Sequence, residues 1–240
     1  MALFALSDLH LSLGTDKPMD VFGASWHNHT EKIRISWINT VKDDDLVIIG
    51  GDLSWATYLT EACEDFKFIN SLPGKKLLIK GNHDYWWESV TKLKNYVHQM
   101  QFNSISFLHN NAYIFQNFSI AGTRGWLVPS SDGFSSEDKK IYERELIRLN
   151  LSLEEMQKLE ETMPQKSFTR VAVLHYPPIN SFGKCDEGIL ETLLKFGVKK
   201  CIYGHLHGVG INIGFTGNAA GIDFYLTSSD ALGFTPLQIT

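Results

Sequence analysis

Cysteine, positive charge and long apolar runs are all in short supply in this chain. The three cysteines, Cys63, Cys185 and Cys201, lie far apart without a paired spacing. That rules against a disulfide framework and suggests small buried thiols kept reduced in a cytosolic protein. Basic residues number 22 against 27 acidic ones, a net charge of −5. Without a broad positive field, nucleic acid as an obligatory partner loses ground, although a local basic groove can hide in an acidic total. No stretch approaches the roughly 20 apolar residues that span a bilayer, and the apolar start Met1 to Leu6 is interrupted by Asp8 and His10 before it could serve as a signal core. A soluble, unexported, cytoplasmic protein with no membrane partner is the expectation. There is no internal repeat, low-complexity segment or linker, so residues 1–240 read as a single domain.

Five short apolar runs organise that domain. Phe4-Ala5-Leu6-Ser7, Leu46-Val47-Ile48-Ile49, Lys76-Leu77-Leu78-Ile79-Lys80, Val171-Ala172-Val173-Leu174 and Cys201-Ile202-Tyr203 each have the length and composition of a buried strand. Between the first three lie helical spacings: Ile33, Trp37, Ile38 and Val41, then Leu59, Ala62, Phe66 and Ile69. Trp86, Val90, Leu93 and Val97 extend the pattern into a helix from Tyr85 to Met100. Alternating strands and helices predict an α/β fold, in which ligands gather at the carboxyl ends of the strands. Ser104–Leu108, Ala112–Phe115 and Phe118–Ala121 read as further strands in antiparallel array, and Ile211–Phe215 and Ile222–Thr227 also look β-like. A helical pair is expected as a surface insertion at about 135–165, its second member opened by a capping box at Ser152-Leu153-Glu154-Glu155. Asp186 to Phe196 should form a helix closed by Gly197.

The residues just past each buried run carry the chemistry. The exits hold Asp8 and His10, Asp52, Asn82 and His83, His175, and His205 and His207. Singly, each has a plain structural explanation, an aspartate as a helix cap or a histidine as a hydrogen-bonded core residue. Jointly, Asp8, His10, Asp52, Asn82, His175, His205 and His207 form a mixed carboxylate, amide and imidazole set. Such a set suits Mn, Fe, Zn, Co or Ni better than calcium or magnesium. Seven ligands exceed one tetrahedral ion and fit two divalent ions. Asp52 is the natural bridge, because a carboxylate can hold two metals where a neutral imidazole cannot.

Asp8-Leu9-His10, Gly51-Asp52, Gly81-Asn82-His83-Asp84, His175 and Gly204-His205-Leu206-His207 resemble, in the family's order, the five signature motifs of the calcineurin-like metallophosphoesterases. The resemblance implies a four-layer α/β/β/α sandwich with two mixed β-sheets. It implies one metal on Asp8, His10, Asp52 and His207, and a second on Asp52, Asn82, His175 and His205. It gives His83 the role of a non-ligating histidine that contacts phosphate or protonates the leaving group. Phosphoprotein phosphatases of this family carry an Asp-Arg pair where this chain has Trp55 and Ala56, which argues against a protein phosphatase.

The expected activity is hydrolysis of a phosphomonoester or phosphodiester of a small molecule by a hydroxide bridging two metals, whose pKa the ions lower. A nuclease-like phosphodiesterase and a non-catalytic scaffold are the competing readings. Arg124, after a strand in Gly122-Thr123-Arg124-Gly125-Trp126, is the candidate for gripping phosphate. His27 and His29 are candidate substrate contacts. Trp26, Trp55, Trp86, Trp87 and Trp126 either wall the cleft or seal helices against sheets, Trp86 by its spacing belonging to the core. Asp84 is a candidate supporting residue beside His83.

Overall fold

A computed structural model describes residues 1–19, 23–165 and 167–240. It contains two compact units, Met1–Phe107 with Thr227–Thr240, and Leu108–Leu226.

In chain order the first unit contains β1 (Leu3–Ala5), α1 (His29–Thr40), β2 (Leu46–Ile49), α2 (Cys63–Ser71), β3 (Lys75–Leu78), α3 (Val90–Gln99) and β4 (Ile105–Phe107). The second contains β5 (Ala112–Phe115), β6 (Phe118–Gly122), α4 (Ser136–Thr162), β7 (Thr169–Val173), α5 (Glu187–Lys195), β8 (Lys200–Tyr203), β9 (Gly217–Ala219) and β10 (Ile222–Leu226). The chain then returns to the first unit with β11 (Leu237–Ile239).

The first unit's sheet runs β11-β1-β2-β3-β4, with β1 to β4 parallel and β11 antiparallel on the β1 edge. Each parallel step crosses over through one helix, as parallel neighbours require. Strand β2, Leu-Val-Ile-Ile, is buried along its whole length, the pattern of a parallel strand covered on both faces. Helix α1 buries Ile33 and Trp37 but leaves Ile38 half exposed, so its inward stripe is narrower than the apolar spacing suggested. Between α2 and β3 the chain turns over a fully buried Lys76, whose ammonium donates to the carbonyls of Leu72 and Gly74. Burial pushes that ammonium down to about 8.

The second sheet runs β5-β6-β7-β8-β10-β9, parallel from β6 to β10 with an antiparallel strand on each edge. The architecture is thus α/β with two mixed sheets and accompanying helices.

Several local expectations need correction. The run Ser104–Leu108 supplies β4, which pairs parallel to β3, and only β5 and β6 form the expected antiparallel pair. The helical pair at 135–165 is one continuous 27-residue helix, α4. Its capping box is Ser135 with Asp138, while Ser152 is buried mid-helix, its hydroxyl accepting from the Gly122 N–H and donating to the Asn111 carbonyl. A serine with such tertiary partners does not start a helix, and no glycine or proline precedes it to break one. Helix α3 begins at Val90 behind a Ser89 cap and not at Tyr85, because Asp84 to Ser89 is held in an irregular loop by the Asp84 carboxylate. Ile211–Phe215 is no strand: Gly208–Ile213 forms a 3-10 helix. Helix α5, capped by Asp186, follows its predicted span closely.

Candidate metal centre

In the first unit, three parallel neighbours deliver the site. The registers of β1, β2 and β3 put their carboxyl ends on one edge, where the chain continues into Asp8 and His10, Asp52, and Asn82 and His83. Asp8, His10 and Asp52 all adopt left-handed backbone, with φ of 60°, 47° and 52°. Such a conformation is uncommon outside glycine, costs on the order of 1–3 kcal/mol, and persists where the surroundings enforce it. Here two turns enforce each other. The Asp8 N–H donates to the Gly51 carbonyl at 2.9 Å, that of His10 to Asp52 at 3.0 Å, and that of Leu11 to Leu53 at 2.9 Å.

The result is a buried cluster in which ligand atoms of Asp8, His10 and Asp52 lie within 4.8 Å of one another. His10 Nε2 stands 3.8 Å from Asp52 Oδ2. Two buried carboxylates at this range disfavour each other's charge, and a divalent cation between them offsets that repulsion. With an imidazole that ligates when neutral, the donor set fits a borderline divalent metal.

A third turn locks onto the second through Asp84. Its buried carboxylate accepts the N–H groups of Asp52 and Leu53 at 2.9 Å each, Ser54 at 3.3 Å and Gly81 at 2.7 Å, and the Trp86 indole at 3.0 Å. The His83 N–H in turn donates to Asp52 Oδ1 at 2.8 Å. Gly81 makes that approach feasible: a Cβ there would stand 2.0 Å from Asp52 Oδ1. The His83 ring, half-buried, lies 4.5 Å from the Trp55 ring and 5.7 Å from that of His10.

Sequence reasoning underrated Asp84 and Trp55. Asp84 was legible only as a neighbour of His83, whereas it ties the Asn82 and Asp52 turns together through backbone amides. Trp55 stacks on His10, ring centroids 4.9 Å apart. His27 is exposed beside the 3-10 turn Ala24–Trp26. His29 points inward: it is buried at the start of α1, packed against Trp26 and Phe234, with backbone groups of His10, Trp26 and Leu9 beside it. Burial lowers its pKa. Trp26 and Trp86 are core residues, as spacing foretold for Trp86.

In the second unit, β6, β7 and β8 run parallel, so Arg124, His175 and His205 leave the sheet at a common edge. The Arg124 carbonyl accepts the N–H groups of His175 and Tyr176, at 2.9 and 3.0 Å. His175 is fully buried, its ring centroid 5.1 Å from that of His205. Tyr176 packs on the His205 ring at 4.2 Å, a contact that nothing in the sequence signalled. His205 has φ of 73°, again left-handed. His207, partly exposed, precedes the 3-10 helix. The Arg124 guanidinium lies over the Trp126 ring at 4.5 Å and 3.7 Å from the buried Glu145.

Residues 1–209 match the family described as calcineurin-like phosphoesterase. The chain belongs to that family. Its members are metal-dependent phosphoesterases, in line with the motifs and with the donor cluster of the first unit. No curated protein sequence matches the chain. Among solved structures, TT1561 of Thermus thermophilus is similar with a TM-score of 0.58 at 11% identity, over 99% of this chain and 97% of that one. The phosphopantetheinyl hydrolase PptH of Mycobacterium tuberculosis is similar with a TM-score of 0.55 at 14% identity, over 99% and 95%. GAP50 of Plasmodium follows at 0.52 and 12%, over 96% and 72%. At such identities the likeness is one of fold. Among the described residues no helix is long and apolar enough to cross a membrane.

Proposed function

We propose that this member of the family hydrolyses a phosphomonoester or phosphodiester of a small molecule with two divalent ions. Asp8, His10, Asp52 and Asn82 of the first unit and His175, His205 and His207 of the second are the seven ligands, Asp52 being shared. The observation that carries this reading is the buried cluster of Asp8, His10 and Asp52 in enforced left-handed backbone. When bound, the ions would supply a water acidic enough to act near neutral pH and positive charge for the phosphoryl oxygens. The rest falls to the chain. Asp84 holds the Asp52 turn, the backbone amide of His83 fixes an Asp52 oxygen, and the His83 imidazole gives a proton to the departing oxygen. Arg124 supports the phosphate through its guanidinium, which Trp126 and Glu145 hold in place.

The test is metal analysis of the purified protein, followed by turnover of p-nitrophenyl phosphate and bis(p-nitrophenyl) phosphate with Mn, Fe, Co, Ni and Zn. Metal-dependent turnover that a chelator abolishes and metal restores is expected. Two ions bound per chain with no turnover of either ester would overturn the reading in favour of a scaffold.

A further inference from the structure

The second unit contains a cavity of about 870 Å³ beside His205, well inside the range of small-molecule sites, roughly 300–1,000 Å³, and far larger than one phosphate group needs. Trp126 and Tyr176, their rings 4.9 Å apart, line it together with Pro177 and Pro178, whose rings restrict the backbone there. Two apolar residues of the lining stand in water, Phe182 at 93% exposure and Ile213 at 61%. Large apolar groups rimming a concave site are a common mark of ligand binding.

The charges of the lining limit what can enter. Among the described residues of the lining, Lys184 is the one lysine or arginine, against Asp132, Asp186 and Glu187. The amino end of α5 also faces this space and would ordinarily attract an anion. It is already occupied: the Asp186 carboxylate accepts the Ile189 N–H at 3.1 Å and the Tyr142 hydroxyl at 2.5 Å, and Glu187 adds a further negative charge in the first turn. A second phosphate therefore finds little to bind.

We propose that this cleft takes one ester arm of a phosphodiester, an arm that is uncharged, partly flat and apolar, and long enough to reach Phe182 and Ile213. The inference rests on the hydrolase reading above and narrows it to small-molecule diesters. In the reaction, the oxygen of water forms the new bond to phosphorus and the bond from phosphorus to the other ester oxygen breaks. That oxygen leaves with a proton, and the arm in the cleft stays on the product monoester. Strands of nucleic acid, with a phosphate on every residue, fit poorly.

Three probes test the assignment: p-nitrophenyl phosphate, the p-nitrophenyl ester of thymidine 5′-monophosphate, and the same ester carrying a 3′-phosphate. For the metal-loaded protein, kcat/KM should be at least tenfold higher for the uncharged thymidine arm than for either alternative. Phe182→Ala and Ile213→Ser, both at exposed positions, should lower the ratio of the thymidine ester to p-nitrophenyl phosphate at least fivefold, mainly through KM. In metal-free protein, saturation-transfer NMR should detect the thymine protons and lose them in Phe182→Ala. Equal kcat/KM for p-nitrophenyl phosphate, a preference for the 3′-phosphorylated probe, or no saturation transfer overturns the cleft assignment. Saturation transfer without turnover of any probe keeps the cleft and overturns the hydrolase reading instead.

Discussion

The indole of Trp55 lies nearly face to face with the imidazole of His10, ring centroids 4.9 Å apart and planes 23° from parallel. The same indole touches His83 at 4.5 Å and donates its N–H to the Met19 sulfur. Trp55 therefore orients a candidate ligand and the candidate proton donor at once, without a charge of its own.

Removing that face should loosen both rings. Trp55→Ala is expected to weaken manganese binding by about tenfold, the lower end of what losing an outer support of a metal ligand costs. Trp55→Phe, which keeps a flat apolar surface, should recover most of it. Calorimetric metal titration of the three proteins decides, and an unchanged affinity in Trp55→Ala would deny Trp55 this role.

Asp84 makes a stronger prediction, because its carboxylate accepts four backbone amides and an indole from a fully buried position. In Asp84→Asn the amide group would turn hydrogen toward donors that need acceptors. Hydrogen bonds to a charged group contribute about 1.5–3 kcal/mol each and are not additive. A loss of about 3 kcal/mol is expected, read as a lower urea midpoint in the metal-free protein. A loss of stability below about 1 kcal/mol would mean that the turns hold without it.

Gly81→Ala probes the neighbouring contact. The added methyl would stand 2.0 Å from Asp52 Oδ1 and 2.3 Å from its backbone nitrogen, so Asp52 must move. Loss of bound metal is the expected result, by elemental analysis after dialysis, with a folded circular dichroism spectrum. Full metal content would show that Asp52 adapts or that it holds no ion.

The strand exits were readable from sequence because buried parallel strands are short, apolar and end in glycine or polar groups, a purely local signal. Strand β2 has the bounds of its apolar run, and β5, an antiparallel edge strand, also has the bounds expected for it. What escaped was set by distant partners. Ser152 carries the signature of a helix cap, but its hydroxyl bonds to Gly122 and Asn111, and a continuous α4 results. Asp84 sits next to His83 in sequence, yet its partners are mostly the amides of residues thirty positions earlier. The β9 and β11 edges lack an apolar run altogether and exist through pairing with β10 and β1.

Asp65 predicts a pH effect on stability that is separate from metal release. Its carboxylate is buried, bonded to the Ser54 hydroxyl and the Leu13 N–H at 2.8 Å, and burial raises its pKa from 3.8 to about 6. Between those values the folded protein binds the proton that the unfolded chain releases, so this contribution is complete below about pH 4 and lost as pH rises through about 6. A shift of this size corresponds to about 3 kcal/mol. Metal-free wild type and Asp65→Asn should therefore converge at pH 4, with Asp65→Asn the more stable at pH 7.5. Parallel stability curves across that window would deny the shift.

His83 is separable from the metal set by its leaving-group dependence. Its imidazole is half-buried between Trp55 and the exposed Tyr85 and is the acid of the proposed reaction, while its amide donates to Asp52 Oδ1 at 2.8 Å. His83→Ala deletes the first function and retains the second, because the backbone N–H stays, so bound metal should not change. A positioned general acid contributes about 10²–10⁴-fold, and it contributes most where the departing oxygen is a poor leaving group. Turnover of a p-nitrophenyl ester, whose phenolate leaves without help, should fall little. Turnover of an alkyl ester should fall by at least a hundredfold, and the logarithm of the rate should depend more steeply on leaving-group pKa than in the wild type. Equal losses on both esters would point instead to a contact with the phosphoryl oxygens, since such a contact acts whatever group departs.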